Sequence, residues 1–209
     1  EFIAEIGLNH NGSDALLVEL IRQASLSGAT LVKFQLGWRD KKEEINYFDE
    51  EKLKLLLKSC DHYGIEPLFT LLHERSYKLL TSVYKPNILK IASRTLKTDF
   101  DFCVQLSKRN HKLIISTGMS ERKISYLDEI KNLLQNECKF VWCISNYPLY
   151  VWDVKDFPKA FNNEGFIGLS DHSLGNEMAF LAISRGAKMI ERHFTLNKSD
   201  STIRDHSLS

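Results

Sequence analysis

The sequence has 209 residues, and 28 Lys and Arg against 27 Asp and Glu leave a formal charge of +1. That balance argues against a general nucleic-acid binder, which needs a clear excess of positive charge. A content of 43% hydrophobic and 26% charged residues argues against disorder and gives one domain ample core. No apolar run approaches the roughly 20 residues that cross a bilayer, so no membrane is expected. The cysteines, Cys60, Cys103, Cys138 and Cys143, form no CxxC pair and sit among apolar residues. They read as reduced core thiols of a cytoplasmic protein, not as a structural zinc site. Residues 1–5 carry no basic and then apolar leader, but the sequence starts on Glu1, so a longer parent chain is expected.

In chain order, β-type runs occur at Phe2–Gly7, Leu31–Gln35, Pro67–Leu71, Ile88–Ala92, Leu113–Ser116, Phe140–Ile144, Phe166–Ser170 and Met189–Phe194. Their starts recur about every 27 residues, the length of a strand, a helix and two short loops. Helical patterns are expected to fill the gaps. Ala15–Ser27 sets Leu16, Leu17, Leu20, Ile21 and Ala24 on one face before Gly28. Asp49–Tyr63 is leucine-rich inside, charged outside, and stops at Gly64; Ala179–Arg185 stops at Gly186. Eight βα units imply parallel strands, and the count predicts a closed (β/α)8 TIM barrel as a single domain over residues 1–209. An open doubly wound sheet is the runner-up. Only 15 residues follow the eighth strand, so the last helix is expected to be missing and the sequence to be a fragment.

Alternate strand residues face the barrel interior. With Glu5 inward, Phe2, Ala4 and Ile6 face the helices. Lys33 and Gln35 share a parity against Val32 and Phe34, and Lys90 opposes Leu89 and Ile91. Ser116 opposes Ile115, Ser170 and His172 oppose Leu169, and Glu191 and His193 oppose Ile190 and Phe194. Thr70 does the same on the third strand, and Ser145 and Tyr147 follow the sixth. Each strand thus sends a polar group inward near its C-terminal end, where such barrels build active sites. Burying several charges is costly unless they are paired or bind something, so the pattern predicts an enzyme with a polar ligand.

Lys33 and Lys90, with hydroxyls from Thr70, Ser93, Ser116 and Ser170, suit a phosphate-bearing anion. His172 and His193, at the ends of adjacent strands, suit a shared divalent ion such as Mn2+ or Zn2+. Glu5 suits a general acid or base. Plainer readings stand beside these. A lone inward lysine is commonly an ion-pair partner, and a lone histidine a satisfied structural group. His10, His62, His73, His111 and His206 read as loop or surface residues. Lys41-Lys42-Glu43-Glu44 reads as a solvated segment. Trp38, Trp142 and Trp152 fit core anchors or sugar platforms equally.

The run Ile3-Ala4-Glu5-Ile6-Gly7-Leu8-Asn9-His10-Asn11-Gly12 resembles the N-terminal signature of the N-acetylneuraminate (sialic acid) synthase family. So do Val32-Lys33-Phe34-Gln35, Leu89-Lys90-Ile91-Ala92-Ser93, Ser116-Thr117-Gly118-Met119 and Ser145-Asn146-Tyr147-Pro148. Gly168-Leu169-Ser170-Asp171-His172-Ser173-Leu174-Gly175 and Glu191-Arg192-His193-Phe194-Thr195 complete the series, in order and at all but one strand. The resemblance implies a TIM-barrel transferase that condenses phosphoenolpyruvate with an N-acetylated amino-sugar aldehyde. Sialic acid synthases use N-acetylmannosamine; relatives make legionaminic or pseudaminic acid. The product would be a nine-carbon 2-keto acid for cell-surface carbohydrate, with phosphate released.

By that resemblance His172 and His193 are metal ligands, for Mn2+ first, with Mg2+ or Co2+ as alternatives. Glu5 matches the acid/base residue that handles the attacking water. Lys33, Thr70, Lys90, Ser93, Ser116, Ser145 and Ser170 match phosphoenolpyruvate-binding positions, and Gln35, Tyr147 and Asp205 match positions near the sugar. A homodimer is implied. The sequence also departs from the family. The segment between Gln35 and Asp49 is short, Leu71-Leu72 replaces Pro-Phe, Arg94-Thr95 replaces Gly-Glu, and residues 1–209 are expected to hold the barrel without the family's C-terminal antifreeze-like domain. These differences bear on the acceptor sugar more than on the donor. Two alternatives remain: a Schiff-base aldolase with Lys90 as nucleophile, and a non-catalytic sugar-binding relative.

Overall fold

β-branched and leucine-rich runs bounded by loops form short parallel strands, and the amphipathic stretches between them form the crossover helices that parallel neighbours require. The computed structural model describes residues 1–39, 41–121, 123–134 and 137–209. β1 (Phe2–Gly7), β2 (Leu31–Leu36), β3 (Glu66–Leu71), β4 (Ile88–Ile91), β5 (Lys112–Ser116), β6 (Cys138–Cys143), β7 (Phe166–Asp171) and β8 (Met189–His193) follow one another in sequence order around a closed barrel. The eight strands fall where the sequence sets them, with ends shifted by one or two residues. The closed barrel excludes the open doubly wound sheet, because no strand is left at an edge.

Contacts divide the chain into two compact units, residues 1–86 with 192–209, and residues 87–191. In the first, α1 (Asp14–Leu26) opens on Ser13, whose hydroxyl accepts from the Leu16 amide, and it buries Leu17, Leu20, Ile21 and Ala24. α2 (Glu50–Tyr63) opens on Asp49, buries Leu53, Leu56 and Cys60, and stops at Gly64. α3 (Glu74–Val83) is capped by His73 and Ser76. On β2, Val32, Phe34 and Leu36 are fully buried on one parity, while Lys33 and Gln35 take the other. Leu71, in place of the familiar proline, simply closes the β2–β3 ladder opposite Leu36.

In the second unit the β4–β5 connection holds two helices, α4 (Ser93–Thr98) and α5 (Phe100–Ser107). The break falls at Asp99, which leaves the helical region and caps α5 through the Phe102 amide at 3.1 Å. α6 (Ile124–Leu133) and α7 (Glu177–Ser184) follow β5 and β7. The expected helix between β6 and β7 is replaced by two 3-10 turns, Val151–Asp153 and Phe161–Glu164. Pro148 and Pro158 cannot donate to a helical ladder, and Asp156 has φ +56°, so the segment cannot run as a helix. Beyond β8 the described residues contain one 3-10 helix, Arg204–Leu208, and no α-helix. Among the described residues no helix is long and apolar enough to cross a membrane.

Candidate active site

In the first unit the pairing of β1 with β2 sets Glu5 level with Lys33, and that of β2 with β3 sets Gln35 level with Thr70. Since residues level on neighbouring strands share a face, these groups converge. Lys33 Nζ lies 3.3 Å from Glu5 Oε2, and the Gln35 amide donates to Glu5 Oε1. Glu5 and Lys33 are buried, and Gln35 is half-buried. A bulge after Glu5 ends at Gly7, at φ +54°. A Cβ there would meet Glu5 Oε1 at 2.9 Å and Gln35 Nε2 at 3.3 Å, so glycine leaves the room in which carboxylate and amide meet. The Thr70 hydroxyl is buried with no hydrogen-bond partner among the described residues. Such a group points to a partner supplied from outside the chain.

The end of β8 closes the same cluster. The Phe194 amide donates to the Glu5 carbonyl at 2.8 Å, and Asn9 Nδ2 donates to the Phe194 carbonyl at 3.0 Å. His193 Nδ1 lies 3.8 Å from Asp205 Oδ2. Asp205 is held on its 3-10 helix beside His206, which lies against Thr195 Oγ1 and, through Nε2, 2.9 Å from Asn11 Oδ1.

The second unit contains a tighter array. Lys90 Nζ donates to both oxygens of Glu191, at 3.0 and 2.8 Å, and the Ser170 hydroxyl donates to Glu191 Oε1 at 2.7 Å. All three are buried. Two buried opposite charges with this geometry hold each other where either alone would be strongly disfavoured. Level pairing sets Ser170 beside Cys143 and Ser116 beside Val141. The Ser93 hydroxyl, at the start of α4, accepts from the Gly118 amide at 2.8 Å. A Cβ on Gly118 would run into the Ser145 hydroxyl and come within 2.9 Å of Cys143 Sγ. The glycine therefore lets the loop after β5 touch the end of β6, drawing Ser93, Ser116 and Ser145 into one neighbourhood.

His172, just past β7, lies with Nδ1 2.8 Å from the Ile144 carbonyl and 3.8 Å from Cys143 Sγ. A carbonyl only accepts, so Nδ1 carries the hydrogen and Nε2 the lone pair. Burial disfavours the imidazolium, but the Cys143 sulfur, the Ile144 carbonyl and the Glu191 carboxylate outweigh it and raise the His172 pKa. The Tyr147 ring packs on His172 with centroids 4.3 Å apart. No three His, Cys, Asp or Glu side chains among the described residues form a metal cage. An imidazole whose Nδ1 is held on a carbonyl, as in His172, has the orientation commonly seen in metal-ligating histidines.

The NeuB family model matches residues 40–209. The chain belongs to the NeuB family. It is 34% identical to an uncharacterized protein of Methanocaldococcus jannaschii, covering 99% of this chain and 65% of that one. It is 35% identical to the N,N'-diacetyllegionaminic acid synthase of Legionella pneumophila, covering 94% of this chain and 64% of that one. The chain thus spans just under two thirds of the length of these relatives. The crystal structure of N-acetylneuraminic acid (sialic acid) synthetase from Leptospira borgpetersenii, a complex with citrate, superposes with a TM-score of 0.85 at 25% identity, covering 100% of this chain and 77% of that one.

Several NeuB-chain residues escaped the sequence reading. Glu191 stood out only by its inward parity, and nothing in one dimension pairs it with Lys90, 101 positions away. Cys143 read as an ordinary core thiol, yet it touches His172. His10 and His111 lie in loops, as expected, yet both are buried, as is His206 on its 3-10 helix, while His62 is exposed and His73 half-buried. His10 is enclosed because its loop folds back under Phe48, whose ring meets it edge-on at 5.2 Å.

Proposed function

We propose that this chain is the barrel part of a nonulosonate synthase, a cytoplasmic, homodimeric transferase. It condenses phosphoenolpyruvate with an N-acetylated amino-sugar aldehyde, N-acetylmannosamine or a related 6-deoxy sugar. The product is a nine-carbon 2-keto sugar acid, and phosphate leaves. The observation that carries the reading is the pair of buried lysine–carboxylate arrays projecting from parallel strands of a NeuB-family barrel. Lys33, Thr70, Lys90, Ser93, Ser116, Ser145 and Ser170 supply the cations and hydroxyls that hold a phosphorylated carboxylate. The Thr70 hydroxyl, buried and unpartnered among the described residues, supports its share.

In this reading C3 of phosphoenolpyruvate forms a bond to the aldehyde carbon, and the aldehyde oxygen takes up a proton. Water then adds at C2 and gives a proton to Glu5, whose carboxylate Gln35 and Lys33 hold in place. The C2–O bond to phosphate then breaks as the new C2 hydroxyl passes its proton to the departing phosphate, leaving the ketone. Gln35, Tyr147 and Asp205 orient the sugar. His172 and His193 would hold a divalent metal, manganese first, with magnesium or cobalt as alternatives; when bound it polarises the aldehyde as a Lewis acid. An imine route through Lys90 is disfavoured. An ammonium that donates to two carboxylate oxygens has no lone pair with which to attack a carbonyl.

The test is calorimetric binding of phosphoenolpyruvate with Mn2+ and with EDTA, followed by phosphate release across a panel of N-acetylated hexosamines. Phosphate release that needs both substrates supports the reading. A folded chain that neither binds phosphoenolpyruvate nor releases phosphate with any sugar overturns it, and borohydride trapping of pyruvate would revive the aldolase.

A further inference from the structure

Two tryptophans that sequence could not assign resolve in opposite ways. Trp142, on β6, is fully buried and packs edge-on against Phe157. Trp152 is 75% exposed, and its indole lies flat on the Tyr150 ring, with centroids 4.8 Å apart and planes 6° from parallel. The stack is anchored. Leu149 bridges to Ser173 in parallel fashion, and its amide donates to the His172 carbonyl at 3.0 Å. The Asp153 amide closes a 3-10 turn onto the Tyr150 carbonyl at 2.9 Å. The aromatic pair therefore stands three to five residues beyond Tyr147, which packs on His172.

An exposed indole costs the chain water-contacting apolar area, and backing it with a second ring fixes its plane. The apolar neighbours Val151 and Leu174 are also exposed, while Asn146 and Asp153 bring polar groups to the segment. A patch of this size is small beside the 20–30 residues that a stable protein interface uses on each side. It matches instead one flat ligand with an apolar face and a hydroxylated edge.

We infer that Trp152, backed by Tyr150, is a platform for the C–H face of an N-acetylated amino sugar in its ring form, an arrival subsite beside Tyr147 and His172. The inference rests on the synthase reading for the identity of the sugar. It assigns a specificity role to a loop that replaces a helix of the barrel. Its chemistry is non-covalent: the sugar ring stacks, and its hydroxyl and acetamido groups stay at the polar edge.

The test titrates N-acetylmannosamine, without phosphoenolpyruvate, into the full chain while tryptophan emission and heat are recorded. The exposed Trp152 is expected to shift to the blue as sugar covers it. Trp152→Ala is expected to abolish the shift and weaken sugar binding about tenfold, while Trp152→Phe keeps most of the affinity. Phosphoenolpyruvate binding stays unchanged in both variants. Sugar affinity that is equal in wild type and Trp152→Ala overturns the proposal, as does a wild type that binds no N-acetylated hexosamine. So does sedimentation showing that Trp152→Ala splits an oligomer while sugar affinity is intact, because the patch is then a protein contact. If sugar shifts the Trp152 emission but no phosphate is ever released, the platform stands and the synthase reading falls.

Discussion

The two buried lysine–carboxylate arrays use the same residue types to different ends. In the unit of residues 87–191, Glu191 accepts from Lys90 through both oxygens and from Ser170. In the unit of residues 1–86 and 192–209, Glu5 meets Lys33 at 3.3 Å and takes a hydrogen bond from the neutral Gln35 amide. The first arrangement holds a charge rigidly in place. The second sets a carboxylate between a cation and a neutral amide, which suits a group that must gain and lose a proton. In the proposed reading one array clamps the donor-binding Lys90 in place, and the other holds the carboxylate assigned to proton transfer.

The sharpest way to break the comparison is Glu5→Gln. It keeps the shape and removes the proton acceptor, so turnover should fall at least about 100-fold while phosphoenolpyruvate binding survives calorimetry. Full turnover would reduce Glu5 to a second clamp. Glu191→Ala should act on the fold instead. Stranding Lys90 without its partner is expected to cost about 3–5 kcal/mol in urea unfolding, and the double change Lys90→Met with Glu191→Leu should recover much of it. A single variant that unfolds like wild type would show that the pair is not a clamp. Removing one donor by Ser170→Ala should cost about 1–2 kcal/mol, read in the same way.

A pH experiment separates the buried histidines from both arrays. Burial, and then the nearby Lys52 charge, push the His10 pKa down from 6.5 to about 3. Between those values the unfolded chain binds a proton that the folded chain does not. His10 therefore favours the fold fully above pH 6.5, progressively less as the pH falls, and not at all below about pH 3. His10→Phe should flatten that part of the stability profile, as measured by unfolding midpoints between pH 7 and pH 4. An unchanged slope would mean that other groups set the acid sensitivity.

Much of this was legible in one dimension, because the barrel is built from local rules. The strand runs, the helix stops at Gly28 and Gly64, and the inward parity of Lys33, Lys90 and Ser170 follow from periods of two and of 3.6 residues. The β6–β7 connection was misread because its apolar residues, among them Val151, Trp152 and Phe157, suggest a helix until Pro148, Pro158 and the left-handed Asp156 are weighed together. The burial of His10 was not legible because a loop residue two positions before Gly12 looks solvated until the Phe48 segment folds over it.

The sequence alone determined the barrel, the order of its strands and the identity of most polar groups at its strand ends, since spacing and parity act over a few residues. Only the tertiary structure decided the partners. Lys90 meets Glu191 across 101 positions, Glu5 meets Gln35 across 30, and Trp142 goes inward while Trp152 stays out. The physical reason is that a charge or a ring buried in a fold is defined by what touches it, and strands far apart in the chain supply that contact.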